Sequence, residues 1–114
     1  IQKANEWYQF LLDKTSPLAY ELGLTTCYSM YVNKFLSGEN PYFHFDNLTG
    51  VTFLYYPQLD YYFQDGGETQ ILIDGNICGV VPIPNRLLMF DSRMLHRATS
   101  FRDRDRFTIA IKYE

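Results

Sequence analysis

RFTIAIKY, residues 106–113, sorts its side chains by parity. Successive residues of a strand point to opposite sides, so Arg106, Thr108, Ala110 and Lys112 share one face, and Phe107, Ile109, Ile111 and Tyr113 the other. A face of Arg, Thr and Ala makes a poor dry core but a reasonable lining for a polar pocket. The large apolar face needs cover, and residues 1–13 can supply it. There Ala4, Trp7, Tyr8, Leu11 and Leu12 recur at helical spacing, while Asn5, Glu6, Gln9 and Asp13 fill the other side. Trp7 and Leu11 are the expected contacts. Ser16-Pro17 is expected to end this helix or to open a loop.

Between helix and final strand the chain reads as strand after strand. LTTCYSMYVN (24–33) comes first, then YFHFD (42–46) after the turn-rich SGENP, then VTFLYYP (51–57) after NLTG. An aromatic loop, QLDYYFQDGG, leads to ETQILI (68–73). Asp74-Gly75 is a hairpin signal, so ICGVVPI (77–83) should pair back antiparallel. Pro82 and Pro84 mark that strand's end or an edge. RLLMF (86–90), LHRATS (95–100) and the final strand bring the count to about eight. One leading helix and eight short strands predict an all-β core, closed or in two sheets, with a jelly roll (cupin-like, a double-stranded β-helix) as the expected version.

The 114 residues fit one domain, 1–114, with a single core. Aromatic residues make up 18% of the chain, ten of them tyrosines, which favours a β-rich architecture. The net charge of −3 argues against broad attraction to nucleic acid or anionic membrane. No apolar run approaches the roughly 18 residues of a membrane span, and the start has no signal-peptide pattern. Cys27 and Cys78 lack Cys-x-x-Cys spacing and read as two buried free thiols, which points to a reducing, cytoplasmic setting. Asn47-Leu48-Thr49 matches a glycosylation sequon and is read as chance, since a glycan there would obstruct the site described next.

His44 and Asp46 stand two apart in YFHFD and project to one face, with Phe43 and Phe45 on the other. An imidazole and a carboxylate on one face can reach a single ion, and His96 is the only other histidine in the chain. Two histidines and one carboxylate make the facial triad that holds non-haem Fe(II) and leaves positions open for reactants. A structural zinc site would be closed and usually sulfur-rich. Taken singly, a His-x-Asp pair or a lone histidine is more often an ordinary strand feature. Arg106, ten residues after His96, adds a fourth element.

HFD, GGET, VPIPNRLLMFDSRMLHRATS and RFT, in this order, resemble the 2-oxoglutarate- and Fe(II)-dependent dioxygenases, particularly their prolyl-4-hydroxylase-like branch, from about residue 24 to 114. The resemblance implies iron on His44, Asp46 and His96. Arg106 would pair with the distal carboxylate of 2-oxoglutarate, a task suited to a planar guanidinium. Thr108 would add a hydroxyl donor, and Tyr56 falls where relatives place a tyrosine that hydrogen-bonds the co-substrate. The implied reaction hydroxylates a C–H bond, using Fe(II), 2-oxoglutarate and O2 and releasing succinate and CO2, with room for ascorbate. A prolyl or other side chain of a peptide or protein is the expected substrate. Tyr61, Tyr62 and Phe63, in the aromatic loop, could pack against such a ring or simply cover the barrel end.

Several positions depart from the family. Phe35 and Lys34 stand where many relatives carry a tyrosine, and Asn85 stands where glycine is usual; Asn tolerates the left-handed conformation. Family domains are usually longer at the N-terminus, and this chain starts at Ile1, so a missing N-terminal part is expected. Asp46 speaks against a halogenase, whose members replace this carboxylate with a small residue. Lys112 stands where related nucleic-acid demethylases carry a second arginine, which disfavours a nucleobase substrate. A small-molecule substrate and a non-catalytic jelly-roll binding module stay open as alternatives. In RDRDR (102–106), Arg102 and Arg104 read as a solvated turn.

Overall fold

The computed structural model describes residues 2–114, so Ile1, the first residue of the expected helix, lies outside the described residues. Helix α1 (Gln2–Glu21) precedes seven strands: β1 (Cys27–Phe35), β2 (Val51–Tyr55), β3 (Thr69–Ile73), β4 (Asn76–Val80), β5 (Leu87–Asp91), β6 (His96–Ala98) and β7 (Arg106–Tyr113). All pairings are antiparallel, in one sheet of order β1-β7-β2-β5 and a second of order β4-β3-β6. The fold is an all-β core in two sheets with an N-terminal helix.

The parity of β7 organises the layers. On the helix side, Leu11 and Ala19 pack with Val51, Phe53, Tyr55, Ile111 and Tyr113. On the inner side, Leu54, Tyr56 and Ala110 pack with Ile71 and Phe90. Leu11 is 2% exposed, and burial of such a side chain stabilises by about 1.5–3 kcal/mol. Trp7 is half exposed, its ring resting against Phe10 and Tyr55.

The helix does not stop at residue 13 but runs through Pro17 to Glu21. Leu11, Thr15 and Ala19 form one buried stripe at a spacing of four, and Pro17 lies on the exposed side. Burial of that stripe outweighs the backbone hydrogen bond that proline removes. Thr15 Oγ1 donates to the Leu11 carbonyl and lies 2.8 Å from the Tyr113 hydroxyl, which ties the second half of the helix to β7. Gly23, at φ 76°, ends it with a left-handed cap.

One strand expected from pattern is absent and several are shorter, β2 ending at Tyr55 and β6 spanning only His96–Ala98. Residues 42–46 form no strand; a single bridge joins His44 to His96. The strand expected over 77–83 ends at Val80, where Pro82 and Pro84 offer no N–H for a ladder. The Asp74-Gly75 hairpin forms with φ of 51° and 80°, as a primed turn requires, and Asn85 adopts φ 66°. Cys27 is part-buried and Cys78 exposed on β4, so Cys78 is not the buried thiol expected; both are free. Among the described residues no helix is long and apolar enough to cross a membrane.

Candidate metal centre

His44 and Asp46 lie on an irregular segment that is nevertheless tightly held. His44 N–H donates to the His96 carbonyl at 3.0 Å and His96 N–H to the His44 carbonyl at 2.9 Å. Both Asp46 and Asn47 N–H donate to Ser92 O. These bonds dock the segment on β6 and the turn before it. Nitrogen or oxygen donors of His44, Asp46 and His96 thereby lie within 4.8 Å of one another.

The donor set fits a divalent ion. His44 Nδ1 lies 3.3 Å from the Tyr42 carbonyl and His96 Nδ1 2.9 Å from that of Met94, so each Nδ1 can keep its proton there and direct Nε2 inward, where giving up an Nε2 proton would free a lone pair for an ion. Asp46 Oδ2 accepts from Thr52 Oγ1 at 2.8 Å, and Thr52 is held in turn by Ser92 Oγ at 2.9 Å. Burial alone would raise the Asp46 pKa. Hydrogen bonds from His96 and Thr52, with the charges of His96 and Lys112, instead hold its carboxyl well below the usual range. The carboxylate is therefore ionised and ready to ligate.

Arg106 opens β7 on the same inner face and lines the same narrow cavity as the triad, with Thr69, Thr108 and Phe35. It is 1% exposed. Its Nε donates to the Gly67 carbonyl at 2.7 Å and its Nη2 to Thr69 Oγ1 at 2.8 Å. Among the described residues Nη1 meets no acceptor and no carboxylate pairs with the guanidinium. Burial pushes its pKa down, yet a guanidinium keeps its charge in proteins. A buried cation without a counter-charge is costly, and an incoming carboxylate would relieve it.

Tyr56, fully buried, reaches the same hub: its hydroxyl lies 2.6 Å from Thr69 Oγ1. Tyr55 points the other way and donates to Asn85 Oδ1. Thr108 is buried beside Arg106 in the cavity lining. Three contributors are new: Thr69, Thr52 and Lys112. Thr69 closes the GGET stretch, so both acceptors of Arg106, the Gly67 carbonyl and Thr69 Oγ1, sit inside that four-residue signature. Thr52 carried no signal beyond its place on the inner face of β2. Lys112 Nζ lies 3.3 Å from Asp46 Oδ1; the parity of its strand put the residue on this face but did not name its partner.

The aromatic loop sits elsewhere than at the metal end. Gln58 donates to the Phe107 carbonyl, Arg104 bonds Asp60 and Asp65, and Gly66 bridges Phe101. These contacts fix the loop at the Arg106 end of β7, with Tyr62 and Phe63 exposed. Arg104 is accordingly more than a solvated turn residue; it clamps this loop and lies over the Phe101 ring at 4.6 Å.

No protein-family model matches the sequence, and no curated protein matches it. Solved structures do. A prolyl hydroxylase from Trichoplax adhaerens, in complex with a hypoxia inducible factor oxygen degradation domain peptide fragment, superposes with a TM-score of 0.68 at 25% identity over 79% of this chain. A Phytophthora capsici prolyl 4-hydroxylase gives 0.61 at 26% identity over 75%. The Pseudomonas putida prolyl-4-hydroxylase gives 0.67 at 20% identity over 75%, a likeness of fold. This chain spans 44%, 31% and 50% of those three chains. By these likenesses the chain has the fold of the prolyl 4-hydroxylases and is similar to the 2-oxoglutarate- and Fe(II)-dependent oxygenases.

Proposed function

We propose that this chain is the catalytic domain of an Fe(II)- and 2-oxoglutarate-dependent dioxygenase that hydroxylates a side chain of a peptide or protein, a prolyl ring first among them. One observation carries the reading: a buried guanidinium without a carboxylate partner shares a cavity with two histidines and an aspartate that can hold one ion. A small dicarboxylate ligand satisfies both at once.

In this reading His44, Asp46 and His96 hold Fe(II). Arg106 binds the distal carboxylate of 2-oxoglutarate, with Thr108 as a further hydroxyl donor and Tyr56 fixing the Thr69 hydroxyl that faces it. Leu54, Ala98 and Ala110 line the cavity between and keep water from the reacting atoms. Bound there, Fe(II) with O2 supplies the oxidising power that converts 2-oxoglutarate to succinate and CO2 and hydroxylates the substrate. The Trichoplax relative, held with a peptide, supports a peptide substrate. Two free thiols are in keeping with a cytoplasmic setting.

The test needs no substrate. Anaerobic protein is titrated with Fe(II) and 2-oxoglutarate while the visible charge-transfer band of the chelated complex is followed, with Asp46→Ala as control. A band that vanishes in the control is expected. Metal binding without a band would overturn the co-substrate assignment, and absence of metal binding would overturn the triad.

A further inference from the structure

Lys112 lies six residues beyond Arg106 on the same face of β7, about 20 Å along the strand at roughly 3.3 Å per residue. Both cations line the cavity, and Asp46 is the one carboxylate among its described lining residues. The Lys112 ammonium is 3.3 Å from Asp46 Oδ1, with its side chain only 12% exposed. The Tyr31 hydroxyl is its other partner, and the Tyr31 ring lies 4.9 Å from Nζ.

Asp46 therefore has two claims on it, one from a divalent ion and one from Lys112. A metal ion that takes up the carboxylate charge leaves the ammonium beside a dication with no anion to answer it. An anion placed next to both cations restores the balance. We infer that Lys112 couples the two ligands of the site, opposing the metal alone and favouring the metal together with an anionic ligand, so that ion and 2-oxoglutarate load as a pair. This rests on the proposed reading of His44, Asp46 and His96 as metal ligands. Lys112 is a positioning residue in this scheme. It disfavours a metal-loaded site without its co-substrate.

The test is a binding cycle with Co(II) as a spectroscopic probe, titrated with and without 2-oxoglutarate, in the parent and in Lys112→Met. Pyruvate, which keeps the 2-oxo acid end but lacks the carboxylate for Arg106, reports on the Lys112 end alone. Lys112→Met should bind Co(II) alone about tenfold more tightly than the parent, and the tightening of Co(II) by either 2-oxo acid should shrink about tenfold, within the usual range of coupling between sites. Lys112→Arg should keep the parent's coupling. Lys112→Gln, which retains a donor for Asp46, gives the same readout if the methionine variant does not fold. Weaker Co(II) binding in the neutral variants would mean that Lys112 merely holds Asp46 in place, and would overturn the inference. So would coupling in the neutral variants that equals the coupling of a parent that binds both ligands, in which case the proposed function stands. A parent that binds no Co(II) would overturn the triad and this inference together.

Discussion

Arg106 brings a positive charge into a site with 1% exposure, and no acidic side chain among the described residues answers it. On the proposed reading, the distal carboxylate of 2-oxoglutarate would answer it. Arg106→Ala should weaken 2-oxoglutarate binding to the metal-loaded protein by about 2–5 kcal/mol, the usual loss when one partner of a buried charge pair is removed, as read by calorimetric titration. Thr52 acts one step back from the ligands. Thr52→Val would strip Asp46 Oδ2 and Ser92 Oγ of a shared partner, costing about 1–3 kcal/mol of stability in urea unfolding and about 10–100-fold in metal affinity. At this scale the grouping of His44, Asp46 and His96, and the place of Arg106 in the same cavity, were legible, because residue type and spacing point to them. Thr52 and Thr69 were not, because a threonine on an inner strand face looks the same whether or not it holds a functional neighbour.

Elements were read well where hydrophobic period and turn chemistry agreed. The Asp74-Gly75 hairpin and β7 came out at their expected places. The helix and the segment at 42–46 were misjudged for related reasons, since local signals there compete with tertiary ones. Pro17 reads as a stop, but Leu11, Thr15 and Ala19 bury a stripe that carries the helix past it. YFHFD alternates like a strand, but only His44 forms a bridge, and His44 and Asp46 still turn their donors to one place without a ladder. The turn after this segment is sensitive. Gly50 has φ 89°, and a Cβ there would sit 2.0 Å from the Tyr113 carbonyl oxygen. Gly50→Ala should therefore cost at least about 2 kcal/mol by thermal or urea unfolding, and should loosen Asp46 with it.

Across the whole molecule, the count of about eight strands becomes seven plus a bridge, while the two-sheet architecture and the layering of helix, sheet and cavity follow from the parity of β7. Sheet order was beyond reach, because local pattern does not say that β7 lies between β1 and β2. That order has a kinetic meaning. β1 and β2 do not pair with each other, and each waits for a strand that comes later in the chain: Phe35 meets Arg106, and Val51 meets Tyr113. Loop closure over such separations is paid before the contacts reward it, so β7 should enter late and the nucleus of folding should lie elsewhere. Co(II) present during refolding should leave the folding rate unchanged and slow unfolding alone, as stopped-flow fluorescence can show. The ion then arrives as a lock on a finished molecule and gives no guidance to one still being made.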